Sequence, residues 1–163
     1  METDEELVRR TLSEGSHHFG VLIQRYADYL FGLGMRLTSG NTELAEDISQ
    51  QAFMKSYIYL KSFDPQKTFK HWLTGIAVNS FKDLIAKENQ YSPLEDSIEP
   101  SYTPHLEGNK DFFTLIKPLT KEEKLIFTLR FIYDYKMNEI GDFLDMKTGT
   151  VKSKISRAME KLK

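Results

Sequence analysis

Cysteine is absent from the 163 residues, which removes disulfides, thiolate metal sites and cysteine nucleophiles together. Phosphate-cradling glycine loops are missing too, since neither a P-loop nor a dinucleotide glycine motif occurs. The four histidines, His17, His18, His71 and His105, have no metal-ligand spacing and read as surface residues, so neither metal nor cofactor is expected. No apolar run is long enough to cross a bilayer, and the opening METDEELVRR is acidic and polar, unlike a signal peptide. A soluble, cytoplasmic protein without membrane insertion is expected, and not an enzyme. An excess of positive charge is lacking as well. The 22 Lys and Arg stand against 24 Asp and Glu, a net charge of −2, which argues against a general nucleic-acid coat and for binding through local patches.

One such patch closes the chain. Residues 147–163 read KTGTVKSKISRAMEKLK, with six Lys or Arg against the single Glu160. Val151, Ile155, Met159 and Leu162 recur at helical intervals and can pack inward, which leaves Lys152, Ser153, Ser156 and Arg157 together on the outer face. Just upstream, Met137 to Leu144 predicts a small helix with Ile140, Phe143 and Leu144 on one side, and Asp145-Met146-Lys147 supplies a tight turn. Two helices so joined fit a helix-turn-helix, whose second helix enters the DNA major groove. The plainer alternative is an amphipathic terminal helix with a solvated lysine face.

The composition breaks once. Asn89 to Asn109 holds Pro93, Pro100, Pro104 and Gly108, shows no helical apolar repeat, and carries Glu95, Asp96, Glu99 and Glu107 without any Lys or Arg. This pattern predicts an acidic, flexible linker. The expected architecture is therefore all-α, with two small helical domains, 1–88 and 111–163, joined through 89–110.

The first domain reads as helices throughout, with no strand run. Asp4 to Ser13 predicts a short amphipathic helix ended by Gly15, and Ser16 can cap a longer one with Phe19, Leu22, Ile23, Leu30, Leu33 and Leu37 toward a core. After the break at Ser39-Gly40-Asn41, Leu44, Ile48, Ala52, Phe53 and Leu60 form a second apolar stripe. A loop from Ser62 to Lys67 leads to a third helix, marked by Phe69, Trp72, Leu73, Ile76, Ala77, Leu84 and Ile85 and running to about Lys87. Around that loop and helix, Lys61, Lys67, Lys70, His71, Lys82 and Lys87 interleave with Phe63, Phe69 and Trp72. Cations beside aromatic rings suit single-stranded or melting DNA, because rings receive unstacked bases at about 1–3 kcal/mol each. Phe69 and Trp72 also fit a core, so Phe63, in the loop, is the ring expected to be exposed.

These segments resemble a known family over nearly the whole chain. Leu44-Ala45-Glu46-Asp47-Ile48-Ser49-Gln50-Gln51-Ala52-Phe53, then Phe63-Asp64-Pro65, then Trp72-Leu73-Thr74-Gly75-Ile76-Ala77-Val78-Asn79, resemble region 2 of an extracytoplasmic-function sigma factor. Leu119-Thr120-Lys121-Glu122-Glu123 through Leu129-Arg130, then Glu139-Ile140-Gly141 and Gly149 to Lys154, resemble region 4. A response-regulator output domain shares the Gly-Thr-Val-Lys start, but it would follow a receiver of alternating strands and helices.

The resemblance implies a factor that binds core RNA polymerase, recognises a two-part promoter and opens it, without catalysing any bond change. It implies that Lys152, Ser153, Ser156 and Arg157 contact the minus-35 element in the major groove. The loop from Phe63 through Lys67 and Thr68, with Asn79 and Lys82, would hold a base flipped from the minus-10 element. Asp47, Gln50, Gln51 and Met54 would share the face that meets the clamp helices of the largest polymerase subunit. The outer face of the helix opened by the Thr120–Glu123 capping box would meet the flap of the second-largest subunit. The acidic linker would thread the RNA exit path. Gln51 stands where the family carries an acid, so polymerase affinity is expected to be lower by about 1 kcal/mol. An anti-sigma factor or a kinase is a candidate further partner, with Ser49 and Ser56 as phosphate acceptors. The alternative reading is a helix-turn-helix regulator that binds duplex DNA without polymerase.

Overall fold

The computed structural model of the chain describes residues 1–91 and 110–163, and among these the regular structure is helical, with no strand. Eight α-helices are present among the described residues: α1 Asp4–Glu14, α2 His17–Leu37, α3 Thr42–Ile58, α4 Phe69–Tyr91, α5 Lys110–Leu115, α6 Lys121–Phe131, α7 Met137–Leu144 and α8 Thr148–Lys161. They fall into two compact units. Met1–Met35 with the residues from Thr42 to the end of α4 belong to the first, and the helices from α5 onward belong to the second. The expected linker lies outside the described residues from 92 to 109. Its first residues do not belong to a linker, because α4 continues past Lys87 to Tyr91.

The start of α1 shows how local chemistry sets the boundaries. Thr3 Oγ accepts from the Glu6 amide at 3.1 Å and the Glu6 carboxylate accepts from the Thr3 amide, so two amides that the helix leaves open are satisfied. Asp4, Glu5 and Glu6 lie at the positive end of the helix dipole, and Gly15, at φ 140°, terminates the helix. Leu7, Val8 and Thr11 turn inward. The helix is fastened to α2 by Asp4, which pairs with Arg25 at 2.7 Å and accepts from the Tyr26 hydroxyl. Burial first, and then the Asp4 carboxylate, push the Tyr26 phenol well above its ordinary pKa.

The core of the first unit comprises Phe19, Leu22, Leu30, Leu33 and Met35 from α2, Ala45, Ile48 and Ala52 from α3, and Phe69, Leu73, Ala77, Val78 and Phe81 from α4. Gly34 permits a close approach of α2 and α3. A Cβ there would lie 3.0 Å from the Ala45 Cα, so α2 and α3 can meet here only through two small residues. Ile23, expected in the core, is 37% exposed, because the buried row of α2 runs through Phe19, Leu22 and Leu30 and leaves Ile23 to one side. Leu60 is buried as expected, but in a single 3-10 turn, Leu60–Ser62, that follows the end of α3. Ser56, expected as a phosphate acceptor, is instead fully buried and donates to the Phe53 carbonyl at 2.8 Å, which closes it to a kinase.

In the second unit the Thr120 capping box is formed as expected, with the Glu123 amide 3.1 Å from Thr120 Oγ and the Thr120 amide 2.9 Å from the Glu123 carboxylate. Leu125, Ile126 and Leu129 are buried along α6. The short helix α5, which no apolar period announced, leads into Ile116 and Leu119. These pack with Phe127 and Ala158, and Phe112 and Leu162 close over that cluster. Thr128, on the same buried side of α6, has its hydroxyl shut from solvent without a hydrogen-bond partner among the described residues. Replacing it by the isosteric Thr128→Val removes an unsatisfied buried group, with an expected gain of about 1 kcal/mol. Thermal unfolding should show the melting temperature of this unit rising by roughly 4–8 °C; a fall would mean that the hydroxyl is satisfied in solution.

Candidate nucleic-acid interface

The helix-turn-helix is built around one close approach. The left-handed residue Asp145, at φ 54° and ψ 50°, ends α7, and the Met146 amide turns back to the Gly141 carbonyl at 2.9 Å. A Cβ on Gly141 would lie 2.6 Å from the Met146 carbonyl oxygen, so only glycine lets the chain double back so tightly. Lys147 then caps α8, and its carbonyl accepts from Thr150 and Val151 at 3.0 and 3.1 Å. The Asp145-Met146-Lys147 turn thus stands where the sequence placed it.

On α8 the buried seam is Val151, Ile155 and Ala158, with Leu162 half-buried beyond. Met159 was expected on this seam and is instead 45% exposed. Residue 158 continues the inward row from Val151 and Ile155, while 159 lies in line with Lys152 and Ser156. Lys152, Ser153, Ser156 and Arg157 are all exposed. The six cations of the terminal segment are not equivalent. Lys154 pairs with Glu122 and Lys161 with Glu123 at 2.6 Å, whereas Lys163 meets Glu160 in a fully exposed pair at 3.2 Å. Burial would raise the Glu123 carboxyl, but the Lys161 ammonium and the Thr120 amide outweigh it and hold the group below the usual glutamate range.

In the first unit the loop before α4 departs from expectation. Phe63 is only 8% exposed, its ring 5.7 Å from Phe69 and 5.4 Å from Trp72. The reason lies in the turn. The Phe63 amide bonds to the Leu60 carbonyl at 3.1 Å, while Asp64 and Pro65 reverse the chain, with the Gln66 amide on the Asp64 carboxylate at 2.9 Å. The ring is folded under Trp72, which keeps the partly open aromatic surface. Lys67, Thr68, Asn79 and Lys82 are exposed, and Thr68 Oγ also accepts from the His71 amide at the start of α4. Thr68, Asn79 and Lys82 fall on one helical stripe together with Trp72, which was not among the expected site residues, while Lys67 lies in the preceding loop and Phe63 packs against Trp72.

A third surface runs along α3. Asp47, Gln50 and Met54 are exposed and Gln51 is half-buried. The stripe continues to Ile58, 63% exposed, which sequence reasoning missed, although its spacing of four from Met54 and its place off the buried phase were both readable.

Two compact helical units, one presenting a cationic helix-turn-helix and the other a polar and aromatic stripe, define the class: an all-helical protein with the features of a DNA-binding factor. Comparison with known proteins narrows it. Residues 22–91 match the model of Sigma-70 region 2, and 115–163 that of Sigma-70, region 4. The chain is 30% identical to the ECF RNA polymerase sigma-E factor of Haemophilus influenzae, over 97% of this chain and 92% of that one. It is also 30% identical to the ECF RNA polymerase sigma factor SigW of Bacillus subtilis, over 89% and 87%. Its fold is similar to the sigma factor RpoE of Bartonella quintana, solved in complex with the anti-sigma factor NepR, with a TM-score of 0.72, 24% identity, and 88% and 93% of the two chains covered. The chain belongs to the extracytoplasmic-function sigma factors of the sigma-70 family.

Because the Gly141 carbonyl and the bare Gly141 Cα form the inside of the turn, Gly141→Ala should destabilise the second unit by about 1–3 kcal/mol. Chemical denaturation read by circular dichroism should show the loss, and unchanged stability would mean that the turn opens at little cost.

Proposed function

We propose that the chain directs core RNA polymerase to a two-element promoter and opens it, with the labour divided between residues 1–88 and 111–163. Lys152, Ser153, Ser156 and Arg157 on α8 read the minus-35 element, and Lys67, Thr68, Asn79 and Lys82 hold the minus-10 strand. Trp72 offers the ring that Phe63 does not. The observation that carries this reading is the outer face of α8, with cations and short polar side chains exposed beyond a fully buried seam. Lys and Arg suit guanine edges and phosphates, and the small serines let the helix axis come close.

Asp47, Gln50, Gln51 and Met54 meet the polymerase clamp helices, with Ile58 extending the face, and the outer side of α6 meets the flap. The chain itself makes and breaks no covalent bond, and it works in the cytoplasm; no described helix is long and apolar enough to cross a membrane. Control falls to an anti-sigma factor, the class of partner in the solved complex of the relative. A kinase would have Ser49 as its target on α3, since Ser56 is buried.

Purified chain with core polymerase should start transcripts from a promoter obtained by selection with the reconstituted holoenzyme. Duplex binding without transcripts would favour a helix-turn-helix regulator instead. Gln51→Glu should tighten polymerase binding by about 1 kcal/mol, roughly fivefold, through a charge-assisted contact. Titration of labelled chain with core polymerase measures this, and an unchanged affinity would mean that the neutral side chain costs nothing.

A further inference from the structure

The cations of α8 are sorted by flank. Lys154 and Lys161, seven residues apart, lie two turns from each other on the side that faces α6, and each ends on an acid of the first turn of α6: Glu122 for Lys154, Glu123 for Lys161. Lys154 is half-buried, whereas Lys152, Arg157 and Lys161 are exposed. Glu123 is 8% exposed, and the same Oε1 atom accepts both the Lys161 ammonium, at 2.6 Å, and the Thr120 amide, at 2.9 Å. The acid that closes the capping box of α6 therefore also anchors the C-terminal part of the reading helix. Lys152 and Arg157 lie on the exposed side, and no ion pair to another helix engages them among the described residues.

We propose that Glu122 and Glu123 are positioning residues for promoter binding: they withhold Lys154 and Lys161 from the DNA phosphates, so that Lys152 and Arg157 carry the phosphate charge of α8. This rests on the reading of α8 as the DNA-facing helix and sharpens it. A helix that looks uniformly basic in sequence presents DNA with a shorter row of cations, and the short row is aligned with Ser153 and Ser156. A withheld lysine releases no counterions when DNA binds. Phosphate contacts position without specifying sequence, so withholding two of them limits the affinity for any DNA rather than for the right one.

The test uses the full chain assembled with core polymerase, a duplex promoter fragment that this holoenzyme transcribes, and a scrambled duplex of the same length. Affinity is followed by fluorescence anisotropy through a salt series, and the slope of log K against log salt counts the phosphates neutralised. Each neutralised phosphate contributes about 0.9 to that slope. Lys152→Gln is expected to lower the slope by about 0.9, and Lys154→Gln to leave it unchanged. Glu122→Gln, which frees Lys154 without touching the core, should raise the slope by up to about 0.9 on both duplexes and leave their affinity ratio as it was. Glu123→Gln keeps the capping hydrogen bond and should raise the slope in the same way through Lys161. A fall in slope with Lys154→Gln as large as with Lys152→Gln would overturn the proposal while leaving α8 as the DNA helix. No fall with Lys152→Gln would overturn the proposal and the reading of α8 together.

Discussion

Burial of Val151, Ile155 and Ala158 in the core of the second unit governs what that unit can offer a partner. Fully burying a valine or isoleucine side chain is worth about 1.5–3 kcal/mol, whereas an exposed ion pair contributes about 0–1 kcal/mol. The seam therefore decides the rotation of α8, and the charged residues take whichever flank remains. Lys152, Ser153, Ser156 and Arg157 face outward because their neighbours cannot. The glycine at 141 belongs to the same constraint, since without the tight turn at Met146 the two helices could not share that core.

The first unit follows the same logic with a different outcome. Phe63 is in a loop, yet burying its ring against Phe69 and Trp72 stabilises the molecule more than leaving it in water. Its exposure would have offered a base-stacking surface; its burial gives a rigid floor beneath Trp72 and the start of α4. On α3 the balance leaves Met54 and Ile58 outside, because Ala45, Ile48 and Ala52 already fill the inward row. A polar stripe that turns apolar toward its C-terminal end is a surface suited to a protein partner.

Much of this was readable from residue order. The helices around Leu30, Ile48 and Leu73, the capping box at Thr120, the turn at Asp145 to Lys147 and the outward row on α8 all follow from spacing and local hydrogen-bonding chemistry, which involve residues within a turn or two of each other. The misses share a cause. Ile23, Met159 and Phe63 are apolar residues whose burial depends on how far a helix is rolled or how a loop is folded back, and a periodic pattern tolerates an error of one position. Helix α5 escaped notice because six residues are too few for a period to declare itself.

By itself, the order of amino acids determined that the chain is helical and that it carries a basic segment after a tight turn, because each depends on contacts between near neighbours; its motifs also carried the resemblance to a sigma factor. Only the tertiary structure decided which cations of α8 remain available. The partners of Lys154 and Lys161 are Glu122 and Glu123, more than thirty residues away, and nothing in the spacing of the terminal segment shows that folding brings those acids to its flank.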